Sequence, residues 1–326
     1  MKKILITGGG GYVGAALSDY LALKGYDITV YDLFIYGEEV FDKNLNIKKI
    51  KGDIRDIEKF QKSLDKHEVV IHLACISNDP SFELNPTLGK SINLDAFEPL
   101  VLASKNSGVS RFIYASSSSV YGIKDEKDVH EKMNLEPLTD YSKFKAECEK
   151  ILIKHKSDNF ETITVRPATV CGYSKRQRLD VIVNILTNLA YHKNKITVFG
   201  GDQLRPNIHI KDMVRSYEVL INAKKDLVNG EIFNAGWENK SVNNIAEDVQ
   251  RVFENQVEVI KEITNDNRSY HISSTKIKEV LNFKTNHTIE DAITDLKFAF
   301  EKKLFKDTLN NEMYFNIKRM KNINLK

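Results

Sequence analysis

The sequence predicts an α/β fold: a doubly wound parallel sheet with a smaller mixed lobe attached. Three observations carry it. Short apolar runs at residues 2–7, 27–31, 47–50 and 69–74 suit strands covered on both faces. Helical spacing follows the first run, and a four-glycine turn, Gly8-Gly9-Gly10-Gly11, joins the two.

The first strand leads through those glycines into Tyr12-Val13-Gly14, after which Val13, Leu17 and Leu21 recur at helical spacing up to a stop at Lys24-Gly25. Glycine lets the backbone turn tightly and approach a pyrophosphate, whose charge the helix N-terminus meets with its amides and dipole. Gly9, Gly11 and Gly14 satisfy G-x-G-x-x-G, while Gly8, Gly11 and Gly14 fit a wider-spaced variant. Asp32 closes the second strand. A carboxylate there accepts both hydroxyls of an adenosine ribose and repels a 2′-phosphate, which predicts NAD over NADP; no arginine directly follows it. Asp53, in Gly52-Asp53-Ile54-Arg55-Asp56, is placed to reach the adenine amine, with Ile54 beside it. Leu73 and Ala74 end the fourth run next to the expected pyrophosphate.

A second constellation lies at Tyr141-Ser142-Lys143-Phe144-Lys145. Tyr141 and Lys145, four apart, share one helix face, so the ammonium is expected to lower the phenol's pKa. Moving a tyrosine from near 10 to about 7 needs roughly 4 kcal/mol. One charge about 4 Å away at an effective dielectric of about 20 supplies about that, and an oxidised nicotinamide ring would add a second. Ser117, in the serine run 116–119, would hydrogen-bond the same substrate hydroxyl. Without the glycine turn and the serines, Tyr-x-x-x-Lys would read as an ordinary surface helix.

With these motifs in order, the chain resembles the extended short-chain dehydrogenase/reductases, in their nucleotide-sugar epimerase/dehydratase branch, which are Rossmann-like. The resemblance spans residues 2 to about 300. It also rests on His72-Leu73-Ala74, Ser116-Ser117-Ser118-Ser119-Val120-Tyr121-Gly122, Arg166-Pro167 and Arg205-Pro206-Asn207-Ile208-His209-Ile210-Lys211-Asp212. It implies oxidation of a sugar hydroxyl, commonly at C4, with hydride passed to tightly held NAD. Tyr141 is then the base, Lys145 its tuner and a ribose ligand, and Ser117 the polar partner, with Ser116 the alternative one place earlier. Asn93 matches an asparagine supporting the active-site helix, and Pro167 contacts the nicotinamide end. For the substrate, the resemblance and the basic run after Tyr173 point to Ser118, Thr169, Arg178, Arg205 and Arg268, with Tyr270 near the base or sugar. Lys175 and Arg176 read as solvated charges.

Two departures narrow the reaction. The 4,6-dehydratases carry Asp-Glu directly after their catalytic Thr, whereas this chain has Ser118-Ser119, which disfavours dehydration. Many relatives have asparagine where Thr169 stands. A 4-epimerase or 4-dehydrogenase remains, against a non-catalytic NAD-binding sensor or scaffold and an NADP-dependent carbonyl reductase of the same fold.

Composition agrees with an enzyme. The 326 residues, 41% hydrophobic and 29% charged, read as a soluble globular chain, and the absence of a long apolar run or leader leads to an expected cytoplasmic location without membrane contact. Cys75, Cys148 and Cys171 are odd in number and far apart, arguing for buried thiols rather than disulfides. The eight histidines show no metal spacing, and a net charge of +3 does not suggest nucleic acid. The expected division is residues 1–167 plus about 206–235 for the NAD-binding domain and 168–205 plus about 236–304 for the substrate lobe. Trp237 is expected to pack at their junction, and 305–326 to form a loose tail. A homodimer is expected through helices near 86–107 and 141–155; the stripe Phe144, Cys148, Ile151 and Leu152 suits that bundle or the chain's own sheet.

Overall fold

The structure is a computed structural model, described here for residues 2–264 and 269–326. Seven strands form the main sheet: β1 (Lys3–Thr7), β2 (Asp27–Asp32), β3 (Ile47–Lys51), β4 (Val69–His72), β5 (Arg111–Ala115), β6 (Glu161–Pro167) and, after three strands that lie elsewhere, β10 (Glu231–Ala235). Their order is β10-β6-β5-β4-β1-β2-β3, and every pair is parallel. Ile4, Leu5, Ile6, Val70, Ile71, Phe112 and Ile113 are wholly buried, as strands covered on both faces require. The chain builds β1, β2 and β3 toward one edge and then returns to lay β4 on the other side of β1. The crevice at the carboxyl ends of β1 and β4 is therefore where a ligand binds in such sheets.

The intervening strands are β7 (Thr169–Cys171), β8 (Lys195–Phe199) and β9 (Leu204–His209), followed after β10 by β11 (Glu238–Ser241) and β12 (Glu258–Glu262). β9 pairs parallel to β7 and antiparallel to β11, and β8 pairs with β12. Apolar faces of helices Ile182–Lys193, Val242–Val252 and Ile289–Glu301 cover this lobe through Val183, Leu186, Ile245, Val249 and Ile293. Helix Ile210–Asn222 instead packs Tyr217 and Leu220 into the cluster holding Leu17 and Leu21 of helix Tyr12–Leu23.

Three expectations about packing need correction. Trp237 is 55% exposed rather than packed at a junction, since the chain turns there from β10 into β11, where its backbone amide donates to the Asn207 carbonyl. The helical stretch expected over 86–107 is Pro86–Lys90, a π-turn at Ser91–Asp95, then Phe97–Asn106. Within that turn the Asn93 side chain bonds both the amide and the carbonyl of Ile76, at 2.8 and 2.9 Å. Residues 305–326 are no loose tail: Asn316 and Met320 are buried.

Candidate active site

Gly8, at φ +72°, opens the turn after β1, a backbone region that favours glycine; a Cβ there would lie 2.5 Å from the Ala74 amide nitrogen. At Gly14 a Cβ would lie 2.3 Å from the Gly8 carbonyl oxygen. These contacts let helix Tyr12–Leu23 begin directly against the strand, at Gly11, with no side chain capping its amides. Asp32, at the tip of β2, accepts from the Gly10 amide at 2.9 Å and the Phe34 amide at 2.6 Å. Burial raises its carboxyl pKa, while those amides and the Arg176 guanidinium oppose the rise. An uncapped helix start, a cradle that side chains would fill and a carboxylate one strand over fit a dinucleotide.

The same crevice reaches the second constellation. A cavity of about 480 Å³ is lined by Gly8, Gly11, Tyr12, Val13, Asp32, Asp53, Ile54, Leu73 and Ala74 on one side, and by Ser117, Ser118, Tyr141, Lys145, Pro167, Thr169, Arg178 and Arg205 on the other. Arg268 lies outside the described residues. Helix Asp140–Lys154 starts with a reciprocal cap between Thr139 and Ser142, which fixes where Tyr141 emerges. Ser117 lies beside the Tyr141 phenol in the cavity wall and 2.8 Å, Oγ to Oγ, from Ser119. Ser116, the alternative, is committed elsewhere: its hydroxyl donates to the Glu149 carboxylate.

That carboxylate anchors the serine turn. Glu149 and Arg166, at 5% and 2% exposure, form a two-pronged pair of 3.0 Å (Nε to Oε1) and 2.6 Å (Nη2 to Oε2). Arg166 Nη1 also donates to the Tyr121 hydroxyl, which donates to Asn234 on β10.

The expected tuning of Tyr141 by Lys145 is not what the structure shows. Burial pushes the phenol pKa well up, Cys75 and the Asp79 carboxylate add to the rise, and the Arg178 guanidinium and the Ser117 hydroxyl oppose it. Lys145, 4% exposed, is held to the Ala115 carbonyl at 2.7 Å, with its ammonium 5.9 Å from the Tyr141 ring centre. In the protein alone, desolvation outweighs the ammonium.

Other site residues also differ from expectation. Both Asp53 oxygens are engaged by Arg55, with Nη2 at 2.6 Å, so the carboxylate faces a guanidinium before any adenine. Arg176 is buried, not solvated: its guanidinium lies 3.5 Å from the Tyr36 ring centre and donates to Asn316 at 2.7 Å. Cys75 is only half-buried and lines the cavity, whereas Cys148 and Cys171 are buried. Arg178 donates to Asp180 at 2.5 Å and to Ser77 at 3.2 Å, leaving Nη2 without a hydrogen-bond partner among the described residues. Arg205 stands 5.3 Å from the Tyr270 ring centre. Sequence reading missed Ser77, Asp79, Asp180, Asn316 and Met320, all cavity-lining residues. Only Asp79 carried a local signal, the helix-starting Asn78-Asp79-Pro80, in which Asn78 adopts φ +72° and caps the Ser81 amide.

His72, at the end of β4, bears on stability. Burial and then Lys145 depress its pKa to about 3, and its Nδ1 pairs with the Thr7 hydroxyl at 2.7 Å. An unfolded chain takes up this proton below about 6.5, whereas the folded one does so only near 3, so stability present above pH 6.5 is lost as pH falls toward 3. By pH 4.5 the loss from this group reaches about 3 kcal/mol. Urea unfolding at pH 6.5 and 4.5 checks it: His72→Asn is expected to show a shallower fall than the wild type, and an equal fall contradicts the assignment.

A glycine-turn crevice opening onto a tyrosine, a lysine and a serine defines an NAD-dependent enzyme of the short-chain dehydrogenase/reductase type. The profile of the NAD dependent epimerase/dehydratase family matches residues 4–236, and the chain belongs to that family. It is 30% identical over 72% of its length to a dTDP-D-glucose 4,6-dehydratase of Dictyostelium discoideum, of which it covers 58%. It is 26% identical over 89% of its length to a UDP-glucose 4-epimerase of Lactobacillus helveticus, of which it covers 94%. In fold it matches the UDP-glucose 4-epimerase of Thermotoga maritima solved with UDP-glucose, at TM-score 0.84 and 24% identity, over 93% of this chain and all of that one.

Proposed function

We propose that the protein acts at C4 of a nucleotide-diphosphate sugar, as a 4-epimerase or 4-dehydrogenase, with Tyr141 exchanging the hydroxyl proton. The observation that carries this reading is the single cavity in which Ser117, Tyr141 and Lys145 face the glycine turn, Arg178 and Arg205. When bound, NAD supplies a cationic nicotinamide ring that accepts the hydride and favours the Tyr141 phenolate. Ser117 holds the sugar hydroxyl against the phenol, which sets the distance for proton transfer. Lys145, fixed to the Ala115 carbonyl, is a buried charge beneath both and a donor to the cofactor ribose. Pro167 lies against the nicotinamide end, and Ser118 and Thr169 bound the sugar space. Arg178 Nη2 and the Arg205 guanidinium beside Tyr270 meet the diphosphate and the base, as does Arg268. Gly8, Gly11, Tyr12, Val13, Leu73 and Ala74 receive the pyrophosphate, Asp32 the ribose, and Asp53 and Ile54 the adenine side. Dehydration is disfavoured because Ser118 and Ser119 supply no acid and base beside Ser117, and Ser119 is bonded to Ser117.

The same reading extends to a cytoplasmic homodimer. Helices Phe97–Asn106 and Asp140–Lys154 leave Leu102 and Ile153 exposed while Cys148 and Leu152 enter the chain's own core, so the outer pair supports the dimer face. Incubation with UDP-, dTDP- and GDP-hexoses tests the reaction. Inversion at C4 of at least one sugar, or growth of the NADH absorbance, is expected; failure of all of them to react rejects the proposal.

A further inference from the structure

Residues 305–326 lie beyond the resemblance, yet they build part of the cavity wall. After a short turn at Glu312–Tyr314, helix Asn316–Asn322 lies across the cleft. Asn316, only 6% exposed, is bonded from every side. Its side-chain oxygen accepts from the Tyr36 hydroxyl at 2.8 Å and from Arg176 at 2.7 Å, and its amide group donates to the Ser77 hydroxyl at 3.0 Å. Its backbone amide donates to Asp180 at 2.8 Å. One residue thus ties the loop after β2, the loop after β4 and the lobe segment 176–180 together, alongside the direct contacts of Arg176 with Tyr36 and of Arg178 with Ser77. Three residues on, Arg319 donates to the Ile35 carbonyl at 2.6 Å. Met320 and Leu325 then pack into the cluster containing Ile54 and Ile92 and line the cavity where the adenine side is assigned. Arg55, already holding Asp53, closes the far end through the Lys326 carbonyl at 2.7 Å.

We propose that residues 316–326 are a strap that walls in the adenosine half of a dinucleotide bound in the cleft and slows its release. The inference rests on the reading of the cleft as an NAD site. A dinucleotide held in the cleft would leave once Asn316 and Arg319 release, because their hydrogen bonds cross the opening and Met320 and Leu325 line its adenine side. Opening of that kind is a local unfolding event, rarer as more buried bonds must break at once.

The test reads cofactor exchange rather than turnover. Full-length protein is loaded with NAD labelled in its adenine, passed through gel filtration, and chased with unlabelled NAD. Wild type is expected to keep its label through the column, and Asn316→Ala to release it at least about tenfold faster, equivalent to about 1.4 kcal/mol. Arg319→Ala, which removes a latch at the cleft rim, decides the matter if Asn316→Ala fails to fold; it too is expected to speed release. Variants that exchange at the wild-type rate overturn the strap. A wild type that binds no NAD overturns the reading of the cleft itself, a result distinct from rapid exchange.

Discussion

Tyr141→Phe is expected to lower kcat by about 10³-fold while leaving NAD content and folding intact. The substitution removes one oxygen from a half-buried ring and leaves Lys145 bonded to Ala115, so the fold and the lysine's position are kept. In the proposed reaction Ser117 would still hold the sugar hydroxyl but would have no base beside it. Because the phenol's pKa is raised by burial, Cys75 and Asp79, the active phenolate in the wild type is scarce in the protein alone. Activity is therefore expected to climb with pH across the neutral range in the wild type and to be flat in Tyr141→Phe. Steady-state rates from pH 6 to 9 with the reactive sugar nucleotide check both statements. A variant that turns over at the wild-type rate would return the chain to a binding role.

Glu149→Ala is expected to cost about 3–5 kcal/mol of stability. Arg166 cannot shed its proton, so removing its partner leaves a charge stranded in the core among Tyr121, Ser116 and Asn234. Replacing both partners by apolar residues, Glu149→Leu with Arg166→Met, is expected to recover much of the loss, because the stranded charge goes with the pair. Urea unfolding of the three proteins measures this. A double variant no more stable than Glu149→Ala would show that the pair braces the fold through its shape rather than its charge.

The parallel sheet was legible because residues 4–6, 28–31 and 69–72 need no context: runs apolar on both faces have one natural place. The glycine turn, Asp32 and the Tyr141 to Lys145 spacing were equally legible, since each lies within a few residues of the element that positions it. What stayed hidden is what folding brings together from afar. Arg176 looks solvated beside Lys175, and it is Tyr36 and Asn316, each 140 positions from it in the chain, that make it a buried group. The tuning of Tyr141 misled for the same reason. Helical spacing placed Lys145 on the right face, but the balance at the phenol is set first by burial and then by Cys75, Asp79 and Arg178, which come from other segments. Asn316 had no local signal at all.

The brace running from Glu149 through Arg166 and Tyr121 ends on Asn234, in the last strand to join the main sheet. A nascent chain emerging from the ribosome therefore displays its tyrosine helix long before the serine turn has its final anchor. Translation halted short of that asparagine would yield a polypeptide with the reactive groups in place along the sequence and no means of aligning them.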